Sequence, residues 1–150
     1  MDSFRMYAVA AVQDREAFSE VREEVHREIQ AGGKRFSERQ LQLTDHQQRD
    51  FVPTFAGLAG GCSSIAAFRR IGFFSKYPRI MILIPAIPFY IFPYQAFYYT
   101  REAQYLVQMM REDKSSKFAK RLRSKFEDVA SSDSSILEEL QAGSEIEDIA

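Results

Sequence analysis

The chain has 150 residues, 45% hydrophobic and 27% charged, with a net charge of −1 and a mean hydropathy of −0.32. That length suits one domain, the apolar fraction argues against disorder, and the charge gives no global attraction to nucleic acid. A lone cysteine, Cys62, excludes an internal disulfide framework and a zinc site built on several thiolates.

The average hides three unlike thirds. Residues 1–50 carry 8 Lys+Arg and 10 Asp+Glu, and residues 101–150 carry 8 and 11. Residues 51–100 carry 4 basic residues and no acidic one, with all 5 prolines, 4 of the 7 glycines and 13 of the 20 Phe and Tyr. Two polar flanks surround an apolar centre.

Residues 1–13 are mildly apolar, with Asp2 where a secretory signal carries positive charge, and they are not Arg-rich like a presequence. No cleaved signal is expected, and any organellar targeting is expected to be internal. Residues 14–30 predict a helix with Phe18, Val21, Val25 and Ile29 on one face, ended by Ala31-Gly32-Gly33. Its Glu and Arg residues offer several i,i+4 pairs, so a solvated helix with one packed stripe is the simplest reading. Thr44-Asp45-His46-Gln47 has the form of a capping box, and a second helix is expected to start there and run into the apolar centre.

Phe51 to Phe68 is a charge-free run of 18 residues. As a helix it spans roughly 27 Å, close to the thickness of a bilayer core. Gly57 and Gly61 form GxxxG within it, Ser64 continues that face, and Ala56 with Gly60 makes a second small-xxx-small pair. Such residues let two helix backbones approach closely. That face is expected to pack on the second helix of the same hairpin, with docking on a partner's helix as the other possibility. Arg69, Arg70, Lys76 and Arg79 then crowd a turn punctuated by Gly72 and Pro78.

Ile80 to Tyr99 is a second charge-free run, 20 residues long, with Tyr beside Arg at both ends like interfacial anchors. Pro85, Pro88 and Pro93 should kink it and free the carbonyls of Met81, Ile84 and Phe89, which Thr54, Ser63, Ser64 or a partner would have to satisfy. Helix is expected to continue to about Met110. Lys114-Ser115-Ser116 interrupts, and Lys117 to Ala130 predicts a basic amphipathic helix with Phe118, Leu122, Phe126 and Val129 on one face. In a membrane interface, Phe118, Leu122 and Phe126 would point into it. Ser135-Ile136-Leu137-Glu138 is a further capping box opening a short helix, and Glu145, Glu147 and Asp148 make an acidic tail expected to be mobile.

The pattern predicts an all-α protein. A two-span transmembrane helical hairpin (44–112) joins a polar N-terminal flank with an amphipathic helix (1–43) to a basic amphipathic helix and acidic tail (113–150). The competing arrangement is a soluble helical domain whose core is 51–100, but Ile80–Tyr99 lacks the polar face such a helix needs. The basic turn is expected on the cytoplasmic or matrix side, with both termini opposite. Arg69, Arg70, Lys76 and Arg79 would signal topology or meet anionic lipid headgroups, cardiolipin among them.

No catalytic constellation is present. His26 and His46 lack metal-ligand spacing, and Cys62 reads as a small buried residue with no basic neighbour to activate it. Gly57 to Gly61 lacks the Lys of a phosphate-binding loop, and no ionisable residue lies within either span. Neither an enzyme nor an ion path is expected. No cofactor, metal, nucleic acid or small-molecule substrate is expected either.

Arg70-Ile71-Gly72-Phe73-Phe74-Ser75-Lys76-Tyr77-Pro78-Arg79 resembles the central segment of the OCIA domain (ovarian carcinoma immunoreactive antigen domain), with Gly72, Phe73, Phe74, Ser75, Pro78 and Arg79 in register. Ser116, Leu122 and Arg123 match that family's later Ser-Pro-Leu-Gly-x-x-Leu-Arg segment, whose Pro and Gly are missing here. The likeness covers about 46–123; the second span is proline-rich where the family carries glycines and a Lys. It implies a non-catalytic two-helix protein of the mitochondrial inner membrane with a role in scaffolding and assembly of respiratory complexes, notably cytochrome bc1; the expected role is a small accessory subunit or assembly factor of a respiratory-chain or ATP synthase complex. An endosomal membrane adaptor in signalling is the alternative it implies. The partners implied are subunits of a multi-subunit membrane complex.

Overall fold

The computed structural model describes residues 2–71, 81, 83–111, 116–130 and 134–145. Among them the chain is all helical: α1 (Asp2–Gln13), α2 (Arg15–Gln30), α3 (Glu38–Gln48), α4 (Val52–Arg70), α5 (Leu83–Arg111), α6 (Lys117–Val129) and α7 (Ser135–Glu145). They form two compact units. Residues 1–49 and 100–150 make one, and residues 50–99 make the other, so the two polar flanks fold together rather than as separate segments.

The flank unit owns the hydrophobic core. Phe18, Val21 and Val25 of α2 meet Phe118, Leu122 and Phe126 of α6, beside Ala103, Leu106, Val107, Met109 and Met110 of α5. Phe18 and Phe126 meet edge to face at 5.0 Å, and Phe36 meets Phe118 at 5.2 Å, a favoured aromatic geometry. Phe118, Leu122 and Phe126 are therefore not available to a lipid interface; they are 4%, 0% and 0% exposed. Val129, expected on the same stripe, is exposed.

Charge frames this core. Glu24 of α2 lies 3.1 Å from Arg121 and 3.2 Å from Lys125 of α6, and 3.4 Å from Arg27. Burial alone would raise its carboxyl, but Lys125, Arg121 and Arg27 outweigh that and hold it below the usual range. Glu102 goes the other way: burial pushes its carboxyl up, and Arg22 at 3.5 Å only partly offsets this. The last carbonyls of α5 have no helical partner. The buried Gln40 amide donates to the Met109 carbonyl at 3.0 Å, and Arg123 Nε donates to that of Met110 at 2.7 Å.

Several helix ends differ from the sequence reading. Residues 2–13 are helical, and α1 runs almost directly into α2 through Asp14, whose N–H reaches Ala10 and whose carbonyl accepts from Phe18. α2 stops where Gly32 and Gly33 take φ of 89° and 65°, which lets the Gly33 N–H return to the Glu28 carbonyl. α3 starts at a different capping box, Ser37 with Gln40. Thr44 lies inside α3 and donates back to the Gln40 carbonyl at 2.9 Å. α3 ends at Gln48, so it does not run unbroken into the apolar centre. The short helix α7 forms, but Ser135 is its first helical residue and Ser134, not Ser135, holds the cap position, its carbonyl accepting from the Glu138 N–H and its hydroxyl donating to the buried Asp14 carboxylate at 2.6 Å. The acidic tail lies beyond the described side chains.

Candidate functional site

The 50–99 unit is built from α4 and the first part of α5, and its burial runs opposite to that of the flank unit. Its buried positions among the described residues are Pro53, Gly57, Gly61, Ser64 and Ala86, all small. Its large apolar side chains face outward: Phe55 is 69% exposed, Ile84 67% and Phe92 71%. Of the 19 large hydrophobics that are exposed among the described residues, 14 belong to this unit.

The glycines explain how the helices meet. Pro53 sits in the first turn of α4, where its missing N–H is no loss. A Cβ on Gly57 would stand 3.0 Å from the Tyr90 ring and 3.1 Å from Tyr94 Cβ; one on Gly60 would stand 2.3 Å from the Phe89 carbonyl oxygen; one on Gly61 would stand 3.4 Å from Tyr90 Cβ. GxxxG thus packs on the second helix of its own hairpin. Ser64 is buried and donates to the Gly61 carbonyl at 2.7 Å, within α4. It is not the donor for a carbonyl freed by proline.

Two prolines, Pro88 and Pro93, lie inside α5. Pro85 lies at the start of α5 as described, beside residues outside the described ones, and its expected kink falls there too. Pro93 frees the Phe89 carbonyl, and that oxygen is the atom facing Gly60. The glycine hydrogen standing where a Cβ would be points at it, a Cα–H···O contact between helices. Along α5, Tyr90, Tyr94 and Tyr98 stack at i,i+4 spacing, 6.0 and 6.1 Å between ring centroids.

One face of the pair carries an apolar groove of about 230 Å³, lined by Leu58, Gly61, Cys62 and Ile65 of α4 and by Leu83, Ala86, Ile87 and Tyr90 of α5. The sequence reading missed it, although each set repeats at the spacing of one helix face. Cys62 lines this groove and is exposed, not buried as expected. Arg69 and Arg70 are exposed at the end of α4. Lys76, Arg79 and the Gly72–Arg79 likeness lie outside the described residues. His26 pairs with the Gln30 amide at 3.1 Å, and the His46 carbonyl accepts the Arg49 N–H at 3.1 Å. Among the described residues no group of three or more His, Cys, Asp or Glu is placed to hold a metal.

By length and composition, one stretch, Glu38–Arg70, which takes in α3 and α4, is long and apolar enough to cross a membrane, and only 22% of its apolar window is buried. α5 does not meet the same measure among the described residues: its apolar run begins at Ile80, outside them, and its Pro and Tyr lower its hydropathy. No family model, curated protein or solved structure matches the chain.

Proposed function

We propose that this is a non-catalytic, two-span protein of the mitochondrial inner membrane, serving as a small accessory subunit or assembly factor of a cytochrome bc1-type respiratory complex or of ATP synthase. One observation carries the membrane part. The 50–99 unit buries its small residues and exposes Phe55, Ile84 and Phe92, the reverse of a water-soluble fold. Small interfaces and apolar exteriors are what helix pairs need in lipid.

The flanks support two spans rather than one. α2 and α6 share a core, which favours both flanks on one side of a bilayer and an even number of crossings, with α4 and α5 as the two spans. The positive-inside rule puts the turn 69–79 on the matrix side and the flank unit in the intermembrane space. The organelle and the complex rest on the OCIA-like residues.

Alkaline carbonate extraction of mitochondria tests the membrane claim: the protein stays in the pellet, and release into the supernatant would defeat it. Native gels test the complex. Migration with a respiratory or ATP synthase assembly is expected, and an unassembled monomer at every stage of assembly would remove that role.

A further inference from the structure

We propose that the α4/α5 groove holds one acyl chain of an anionic bilayer phospholipid, with the lipid phosphate on Arg69. The inference rests on the membrane reading above and goes further, to a defined lipid site.

Three observations carry it. The first is register. Leu58, Cys62 and Ile65 line the groove at i, i+4 and i+7, and Arg69 falls at i+11 on the same face. From Leu58 to Arg69 the helix rises roughly 16 Å, a length suited to an extended acyl chain. Arg70 lies about 100° around the helix and does not continue the stripe.

The second is chemistry. The lining is aliphatic or aromatic apart from the Cys62 thiol and the Tyr90 hydroxyl. At about 230 Å³ the groove is smaller than typical small-molecule pockets of roughly 300–1,000 Å³, and it gives a polar ligand little to bond. A single hydrocarbon chain needs no hydrogen bonds and fits an open slot. The third is charge. The 51–100 third has no acidic residue, and Asp50, the unit's one carboxylate, precedes α4 at the end opposite Arg69, so the Arg69 charge is complementary to a phosphate. A partner helix in the same groove would have to place its own side chains beside that arginine.

The test uses the full chain reconstituted in vesicles of equimolar phosphatidylglycerol and phosphatidylcholine, extracted into lipid-free detergent and weighed by native mass spectrometry. One retained phosphatidylglycerol per chain is expected, favoured at least fivefold over phosphatidylcholine. R69Q should bring that ratio to near one, whereas R70Q should leave it unchanged. Cys62→Phe fills the groove and should cut retention of both lipids at least tenfold while helix content by circular dichroism stays the same.

Equal retention of the two lipids, identical losses in R69Q and R70Q, or full retention in Cys62→Phe would overturn the proposal. So would a lipid-free dimer that Cys62→Phe dissociates, because the groove would then seat a second copy. A chain that resists carbonate extraction yet retains no lipid sinks this inference alone. A chain released by carbonate sinks the membrane reading itself.

Discussion

Alanine at Gly60 would place a carbon 2.3 Å from the Phe89 carbonyl oxygen, which backbone on both sides makes hard to relieve. Gly57 is tighter than ordinary contact at 3.0 Å, and Gly61 at 3.4 Å is nearly free. Thermal unfolding in detergent should therefore rank the alanine variants Gly60, then Gly57, then Gly61. The first is expected to lose about 1–3 kcal/mol, the usual range for overpacking, and the last close to nothing. Equal melting of all three would mean that the helix pair is looser than described. A second residue-scale effect concerns Asp14, whose buried carboxylate accepts from Ser134 at 2.6 Å. Ser134→Ala removes a donor to a buried charge and should lower stability by about 1–3 kcal/mol in a denaturant titration. The GxxxG face could be read from sequence because small residues at that spacing have one main use. The 2.3 Å approach at Gly60 could not, because it depends on which carbonyl Pro93 frees on the opposite helix.

At the scale of elements, the contact of α2 with α6 depends on pH. Glu24 has its carboxyl held low in the folded protein, so its contribution is fully present above the ordinary carboxylate pKa. That contribution fades as pH falls through the depressed value. Glu102 has a raised carboxyl, so its contribution is present below the ordinary value and is lost as pH rises through the raised one. E24Q should flatten the acid limb of a stability profile, and E102Q should flatten the limb just above it. Coincident profiles for wild type and both variants would rule out these linkages. Leu122→Ala, at a fully buried site, should cost about 2–5 kcal/mol. The extents of α2 and α6 were legible because apolar residues recur at helical spacing. The start of α3 was not, because Ser37-x-x-Gln40 and Thr44-x-x-Gln47 carry the same capping pattern, and only tertiary contacts separate them. Gln40 reaches the Met109 carbonyl from the first turn, whereas the Thr44 hydroxyl meets the Gln40 carbonyl and the Tyr105 hydroxyl from within α3.

Over the whole molecule, the flanks depend on each other. Phe18, Val21 and Val25 share their core with Leu106, Val107, Phe118, Leu122 and Phe126, all beyond residue 100. A chain ending before Lys117 should leave residues 1–49 open to protease while the hairpin stays in the membrane, and a resistant N-terminal flank in that truncation would contradict the shared core. Protease added outside intact mitoplasts should reach both flanks; cleavage within 1–45 only after the inner membrane is breached would reverse the orientation. That the centre forms a separate unit was visible in its missing acidic residues. That the flanks form one unit was not. A helical stripe says that a face is covered, not by which segment, and here the covering segment is about a hundred residues away.

The 120-residue separation between Asp14 and Ser134 also sets an order of events. Contacts so distant form slowly, because a long loop must close first. Much of that loop is the 50–99 unit, whose helices pair locally where Gly57, Gly60 and Gly61 meet Phe89, Tyr90 and Tyr94. Once α4 and α5 are paired, less free chain is left to close between the flanks. On the membrane reading proposed above, insertion would come first and seed the flank unit, and a chain kept out of the bilayer should leave residues 1–49 open to protease.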